Sequence, residues 1–105
     1  MRSNQHLVFS YGTLVDKFQQ EHVPTTLTNN YRMGNYGQYP ALINDIEEHV
    51  IPGSLLILND REFEEADYYE GYPGLYDRKL MQVKADGELV EAWVYILQKG
   101  KHETD

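Results

Sequence analysis

The chain contains no cysteine, which excludes disulfides, thiolate nucleophiles and sulfur-bound metals at once. Basic residues are also scarce. Nine Lys and Arg face 17 Asp and Glu, for a formal net charge of −8, and a field of that sign repels nucleic-acid backbones and anionic lipid. A small anionic substrate stays admissible, because a local set of donors outweighs distant, screened surface charge. There is no long apolar run: the longest aliphatic one, Leu55-Leu56-Ile57-Leu58, is strand-sized. The first residues, Met1 to His6, lack the apolar stretch of a secretion signal, so a cytoplasmic location is expected.

Other absences concern chemistry. The three serines, Ser3, Ser10 and Ser54, lie in no Gly-x-Ser-x-Gly elbow, and no phosphate-loop or dinucleotide glycine pattern occurs. His6, His22, His49 and His102 show no metal-ligand spacing with one another or with nearby acids. Nine tyrosines without a basic stripe read as core and cavity lining rather than as a stacking platform for nucleic acid.

What the chain does contain is enough for one packed domain over residues 1–105. It is 41% hydrophobic and 25% charged, as soluble globular proteins are, and a domain of this length buries roughly 60–70% of its unfolded surface. Leu7-Val8-Phe9 reads as a buried strand running into the loop Ser10-Tyr11-Gly12-Thr13. Residues 15–22 have helical propensity and are stopped by Pro24. From Leu27 to Ile43 the mixture of Tyr, Gly and Pro suggests short strands and bends, and Val50 to Leu58 reads as a further strand with Pro52 at an edge or bulge.

Two local signals are sharper. Asn59, with Glu62 three residues later, is a capping box that should start a helix, and Gly71 followed by Pro73 should end it at Glu70. Tyr76 to Lys84 and Glu88 to Gln98 flank Asp86-Gly87, a pair suited to a type I′ hairpin turn. The tail from Lys99 is polar and expected to fray.

On the expected helix, Phe63, Ala66 and Glu70 share one face by their spacing of three and four. Glu62, Glu64, Glu65 and Asp67 fall to the solvated side. Glu70 is thus an acid on an apolar face. Desolvation and the negative end of the helix dipole both raise its pKa toward a range useful for proton transfer. The spacing is equally satisfied by a structural glutamate with its head in water or paired with a base such as Arg78. The loop Tyr11-Gly12-Thr13-Leu14 is open in the same way: a plain turn, or backbone N–H groups aimed into a cavity where they hold an anion.

Three blocks taken together, Val8-Phe9-Ser10-Tyr11-Gly12-Thr13-Leu14, Gly37-Gln38-Tyr39-Pro40-Ala41-Leu42 and Asp67-Tyr68-Tyr69-Glu70-Gly71-Tyr72-Pro73-Gly74-Leu75-Tyr76-Asp77-Arg78, resemble the gamma-glutamylcyclotransferase-like family in order and spacing. Glu91-Ala92-Trp93-Val94-Tyr95 in the last hairpin adds to the likeness, which covers nearly the whole chain. The resemblance implies an α+β fold, a small mixed β-barrel flanked by short helices, with a cavity between the first loop and the helix bearing the glutamate. It implies a cofactor-free, metal-free reaction in which a gamma-glutamyl amine or peptide cyclises to 5-oxoproline and releases an amine. Glu70 matches the family's acid/base residue, and Tyr11, Gly12, Thr13 and Leu14 match its substrate-binding loop. Tyr76 is the candidate cavity hydroxyl. Arg78 is either an anion-attracting wall or the structural partner of an acid. Ala66, where a leucine often precedes the Asp, and residues 15–30, which lack the usual glycine start, depart from the commonest pattern and bear on the outer cavity and substrate choice. A binding module that has kept the cavity without turnover, and a partner-binding domain with tyrosine-rich edges, are the other readings.

Overall fold

A computed structural model of the protein describes residues 4–18 and 23–98. Its elements run β1 (Gln5–Ser10), α1 (Leu14–Lys17), β2 (Val23–Tyr36), β3 (Tyr39–Asn59), α2 (Asp60–Glu70), β4 (Tyr76–Ala85) and β5 (Glu88–Leu97). The five strands close into a barrel in the order β1-β3-β2-β4-β5. All neighbours are antiparallel except β1 and β5, whose parallel pairing of Val8 with Trp93 and Phe9 with Val94 closes the barrel. The fold is therefore the expected mixed α+β one.

Alternation along β1 divides the core in two. Phe9 joins Leu27, Leu42, Ile51, Leu55, Val83 and Val94 in one apolar cluster, and its neighbour Val8, pointing to the other face, joins Leu56, Leu58, Phe63, Ala66 and Tyr95 in a second. The second cluster is what α2 packs on. Complete burial of one such large apolar side chain stabilises by about 1.5–3 kcal/mol, so Phe63, at 8% exposure, is the main anchor of that helix.

The ends of α2 follow from sequence chemistry. The Glu62 N–H donates to the Asn59 side-chain oxygen at 2.8 Å, and the Asn59 N–H donates to Glu62 Oε1 at 2.9 Å. At the other end Gly71 is left-handed at φ 75°, ψ 34°. The Gly71 N–H donates to the Tyr68 carbonyl at 3.2 Å and the Tyr72 N–H to the Asp67 carbonyl at 2.9 Å, the two bonds of a Schellman motif. Glu70 is thus the last residue of a helix fixed at both ends.

Two segments depart from expectation. Residues 27–43 belong to long strands: β2 and β3 form one hairpin that turns at Gly37 and Gln38, with a single register shift between Asn29 and Tyr31. Ladder pairing over this length absorbs Gly34, Pro40 and Pro52, opposite Ala41, Asn35 and Thr26, so cross-strand contacts outweigh the local breakers. The helix expected over 15–22 is the short α1. It stops at Lys17 because Phe18 turns extended, φ −110°, ψ 120°, and is buried. Residues 19–22, with His22, and the tail from Lys99, with His102, lie outside the described residues. The hairpin β4–β5 turns at Asp86 (φ 52°) and Gly87 (φ 83°), the type I′ turn read from the pair.

Candidate functional site

The loop after β1 is built by Ser10. Its hydroxyl accepts the Val15 N–H at 3.1 Å and donates to the Gly12 carbonyl at 3.4 Å, while the Asp16 N–H donates to the Thr13 carbonyl at 3.0 Å. Among the described residues, neither the Gly12 nor the Thr13 N–H is taken by a protein acceptor. Two glycines let the loop sit where it does. A Cβ on Gly12 would stand 2.7 Å from Pro40 Cγ, and one on Gly53 would stand 2.4 Å from the Ser10 carbonyl oxygen.

Loop, β3, α2 and the final hairpin enclose a cavity of about 260 Å³. Ser10, Tyr11, Gly12, Thr13 and Leu14 form one wall, and Tyr69 and Glu70 from α2 form another. Tyr39 and Pro40 come from the β3 end of the long hairpin, and Leu75, Tyr76 and Tyr95 complete the lining with Phe9. Six of the seven site residues expected from the sequence meet here. The seventh, Arg78, does not.

Arg78 serves another acid. Its Nε donates to Asp67 Oδ1 at 2.9 Å and its Nη2 to Asp67 Oδ2 at 3.1 Å, and its guanidinium carbon lies 4.3–4.5 Å from the ring centres of Phe63, Tyr72 and Trp93. Of the two roles open to Arg78, the geometry displays the structural one, and its partner is Asp67 rather than Glu70. Asp67 is accordingly no solvated residue: its side chain is 20% exposed and also accepts the Tyr95 hydroxyl at 2.6 Å. Its nearest partners lie 11 and 28 positions away in sequence, beyond the reach of a helical-face argument.

Among the described residues Glu70 is left as the one carboxylate on the cavity, and no Lys, Arg or His lines it. Among the described residues its carboxylate accepts no hydrogen bond, and burial raises its pKa from 4.5 to about 7. Three phenols share that environment. Burial and then the Glu70 carboxylate push Tyr76 up to about 12 and Tyr11 well above its ordinary value. Burial and the bond to Asp67 raise Tyr95. At neutral pH all three are hydroxyl donors: Tyr11 to the Tyr95 carbonyl at 2.6 Å, Tyr76 to the Pro40 carbonyl at 3.1 Å, and Tyr95 to Asp67. At the mouth, Thr13 Oγ1 and the Tyr69 hydroxyl are hydrogen-bonded at 2.9 Å.

Sequence reasoning assigned no role to Ser10, Tyr39, Pro40, Tyr69 or Tyr95. Tyr39 and Pro40 sat in a block that carried the family likeness, and Tyr95 shares a face of β5 with Trp93 by simple alternation, so a signal existed for each. Among the described residues no group of His, Asp and Glu is arranged to hold a metal ion, and no helix is long and apolar enough to cross a membrane.

Solved structures share this fold at low identity. A crystal structure of an AIG2-like protein from Mus musculus superposes with a TM-score of 0.77 at 17% identity, covering 94% of this chain and 80% of that one. A solution structure of an Arabidopsis thaliana protein gives 0.73 at 20% identity, covering 92% and 66%. A structure described as a gamma-glutamyl cyclotransferase gives 0.74 at 13% identity, covering 95% and 70%. The chain thus spans about two-thirds to four-fifths of the length of these neighbours. No curated protein matches its sequence. The family model described as gamma-glutamyl cyclotransferase, AIG2-like, matches residues 8–105, and the chain belongs to that family.

Proposed function

We propose that the protein is a cyclotransferase that converts a gamma-glutamyl amine or peptide to 5-oxoproline and the free amine, with Glu70 as the acid/base residue. The observation that carries this reading is the isolation of Glu70: among the described residues a single desolvated carboxylate shares with the loop Tyr11 to Leu14 the lining of a cavity of about 260 Å³, a volume suited to a glutamyl unit. Family membership supports the reaction class.

The reaction closes a ring. The α-nitrogen attacks the γ-carbonyl carbon, a C–N bond forms, and the amide C–N bond to the leaving group breaks. The α-nitrogen gives up two of its three protons and keeps one as the lactam N–H, and the leaving nitrogen gains two and departs as an ammonium. A carboxyl group with a pKa near 7 suits both directions of transfer, since it accepts and returns a proton at similar cost. With no cation on the cavity wall among the described residues, the substrate's α-carboxylate falls to neutral donors, for which the Gly12 and Thr13 N–H groups are the candidates. Folding the glutamyl chain so that amine and carbonyl meet supplies the proximity term. Tyr76 and Tyr95 wall the cavity beside the base.

Incubation with gamma-glutamyl dipeptides, gamma-glutamyl-lysine and small gamma-glutamyl amines, read as 5-oxoproline, tests the proposal. Release by the wild type and its loss in Glu70→Gln are expected, with the wild-type rate rising with pH through about 7 as the base ionises. Binding of these compounds by calorimetry without any 5-oxoproline would point to a binding module instead.

A further inference from the structure

The hairpin register sets Arg78 directly opposite Tyr95, and both side chains converge on Asp67, one helical turn before Glu70. Tyr95 is engaged at both ends. Its carbonyl accepts the Tyr11 hydroxyl at 2.6 Å from the loop after β1, and its own hydroxyl donates to Asp67 Oδ1 at 2.6 Å on α2. It is 1% exposed yet borders the cavity. Tyr95 therefore bridges the wall carrying the candidate binding loop and the helix carrying the candidate base from beneath the cavity, where the Thr13–Tyr69 bond joins them directly at its mouth.

We infer that Tyr95 is a positioning residue, acting through Asp67 to fix Glu70 and through Tyr11 to fix the loop opposite, so that the two halves of the site stay in register. The inference rests on the proposed function above for its kinetic arm alone. Residues three apart on a helix are neighbours, so Asp67 and Glu70 stand one turn apart along α2, and the inference is that the orientation and charge of the first bear on the second. The Tyr95 hydroxyl and the forked Arg78 guanidinium occupy that charge. The other ionisable groups facing Glu70 are Tyr11 from the loop, Tyr39 from β3, Tyr76 from β4 and Tyr69 on its own helix.

Tyr95→Phe keeps the ring and the carbonyl that Tyr11 uses, and removes only the bond to Asp67. Two effects are expected. Turnover of whichever gamma-glutamyl compound the wild type cleaves should fall about 10- to 100-fold in kcat, the scale on which small misplacements act, with a smaller change in KM. The titration of the Glu70 side-chain carboxyl, followed by carbon-13 NMR, should move to higher pH, because an Asp67 charge with one donor fewer repels a second carboxylate more. Asp67→Asn should move it the opposite way, because it removes the like charge and leaves Arg78 nearby.

A Tyr95→Phe protein that unfolds at lower temperature but keeps the wild-type kcat and the wild-type Glu70 midpoint overturns the inference, since that pattern describes a merely structural tyrosine. If Tyr95→Phe does not fold, Asp67→Asn decides: an unmoved Glu70 midpoint overturns the inference and a downward move supports it. A wild type that releases no 5-oxoproline from any compound defeats the proposed function, and the NMR arm still decides the role of Tyr95.

Discussion

Replacing Glu70 with Gln should stabilise the fold increasingly as pH rises, while abolishing the proposed chemistry. The folded protein holds the Glu70 carboxyl at about 7, against 4.5 for an unburied one, so between those values the folded state binds more protons than the unfolded state. Stability then falls as pH climbs through that window, and the whole cost is present above pH 7. A difference of that size corresponds to ~3 kcal/mol at the rate of 1.36 kcal/mol per pH unit, and because the head faces an open cavity, ~1–3 kcal/mol is the range to expect. Glutamine is close in size and never ionises, so the gap in stability between variant and wild type isolates the ionisation. Urea unfolding at pH 5, 6, 7 and 8 reads it directly. The gap should widen by about 2 kcal/mol from pH 5 to pH 8, equivalent to ~5–15 °C in Tm for a domain of this size. A gap that stays constant, or narrows, refutes the claim that Glu70 is held charged at a cost, and with it the physical basis for using it as a base near neutrality. The same variant should release 5-oxoproline at least ~100-fold more slowly, the usual scale for losing a general acid/base; a gain in stability paired with that loss is the expected signature of a site kept at the expense of the fold.

Other positions test the walls around that carboxylate. Gly12→Ala places a methyl group 2.7 Å from the Pro40 ring, and overpacking of this kind costs ~1–3 kcal/mol; urea unfolding should show it, with KM for any gamma-glutamyl substrate rising as the cavity narrows. Arg78→Lys loses the forked bond to Asp67 and the contact with three rings, so a loss of ~2–4 kcal/mol in urea unfolding is expected, against the ~0–1 kcal/mol of an exposed pair. A loss under about 0.5 kcal/mol would show that the cluster contributes nothing. Gly71→Ala forces a side chain into the left-handed region, with its Cβ 3.3 Å from that of Leu75; it should destabilise by ~1–2 kcal/mol, more than Gly71→Asn, because asparagine tolerates that conformation.

How far the sequence already contained this site depends on the range of each interaction. The ends of α2 were legible because the capping box spans three residues and the Gly71 stop is local, and Glu70 was legible because its odd placement is a property of one helix. The long β2–β3 hairpin was not, since Gly34, Pro40 and Pro52 signal breaks that only the partner strand overrides. Asp67 was misplaced for a similar reason. A helical wheel sorts it to the polar side with Glu64, and nothing within α2 says that β4 and β5 will cover that side. Yet half of the missing information was present in the turn. A two-residue loop at Asp86-Gly87 forces Ala85 opposite Glu88, and the same register carried back along the ladder sets Arg78 opposite Tyr95. An arginine and a tyrosine paired across a hairpin, both large and both able to donate, require an acceptor if they are buried, and Asp67 is the acid one turn before the glutamate that the family likeness had already singled out. What the turn could not supply was the side of the hairpin that α2 covers, which depends on how the barrel closes between β1 and β5, and that closure rests on contacts between residues more than 80 positions apart.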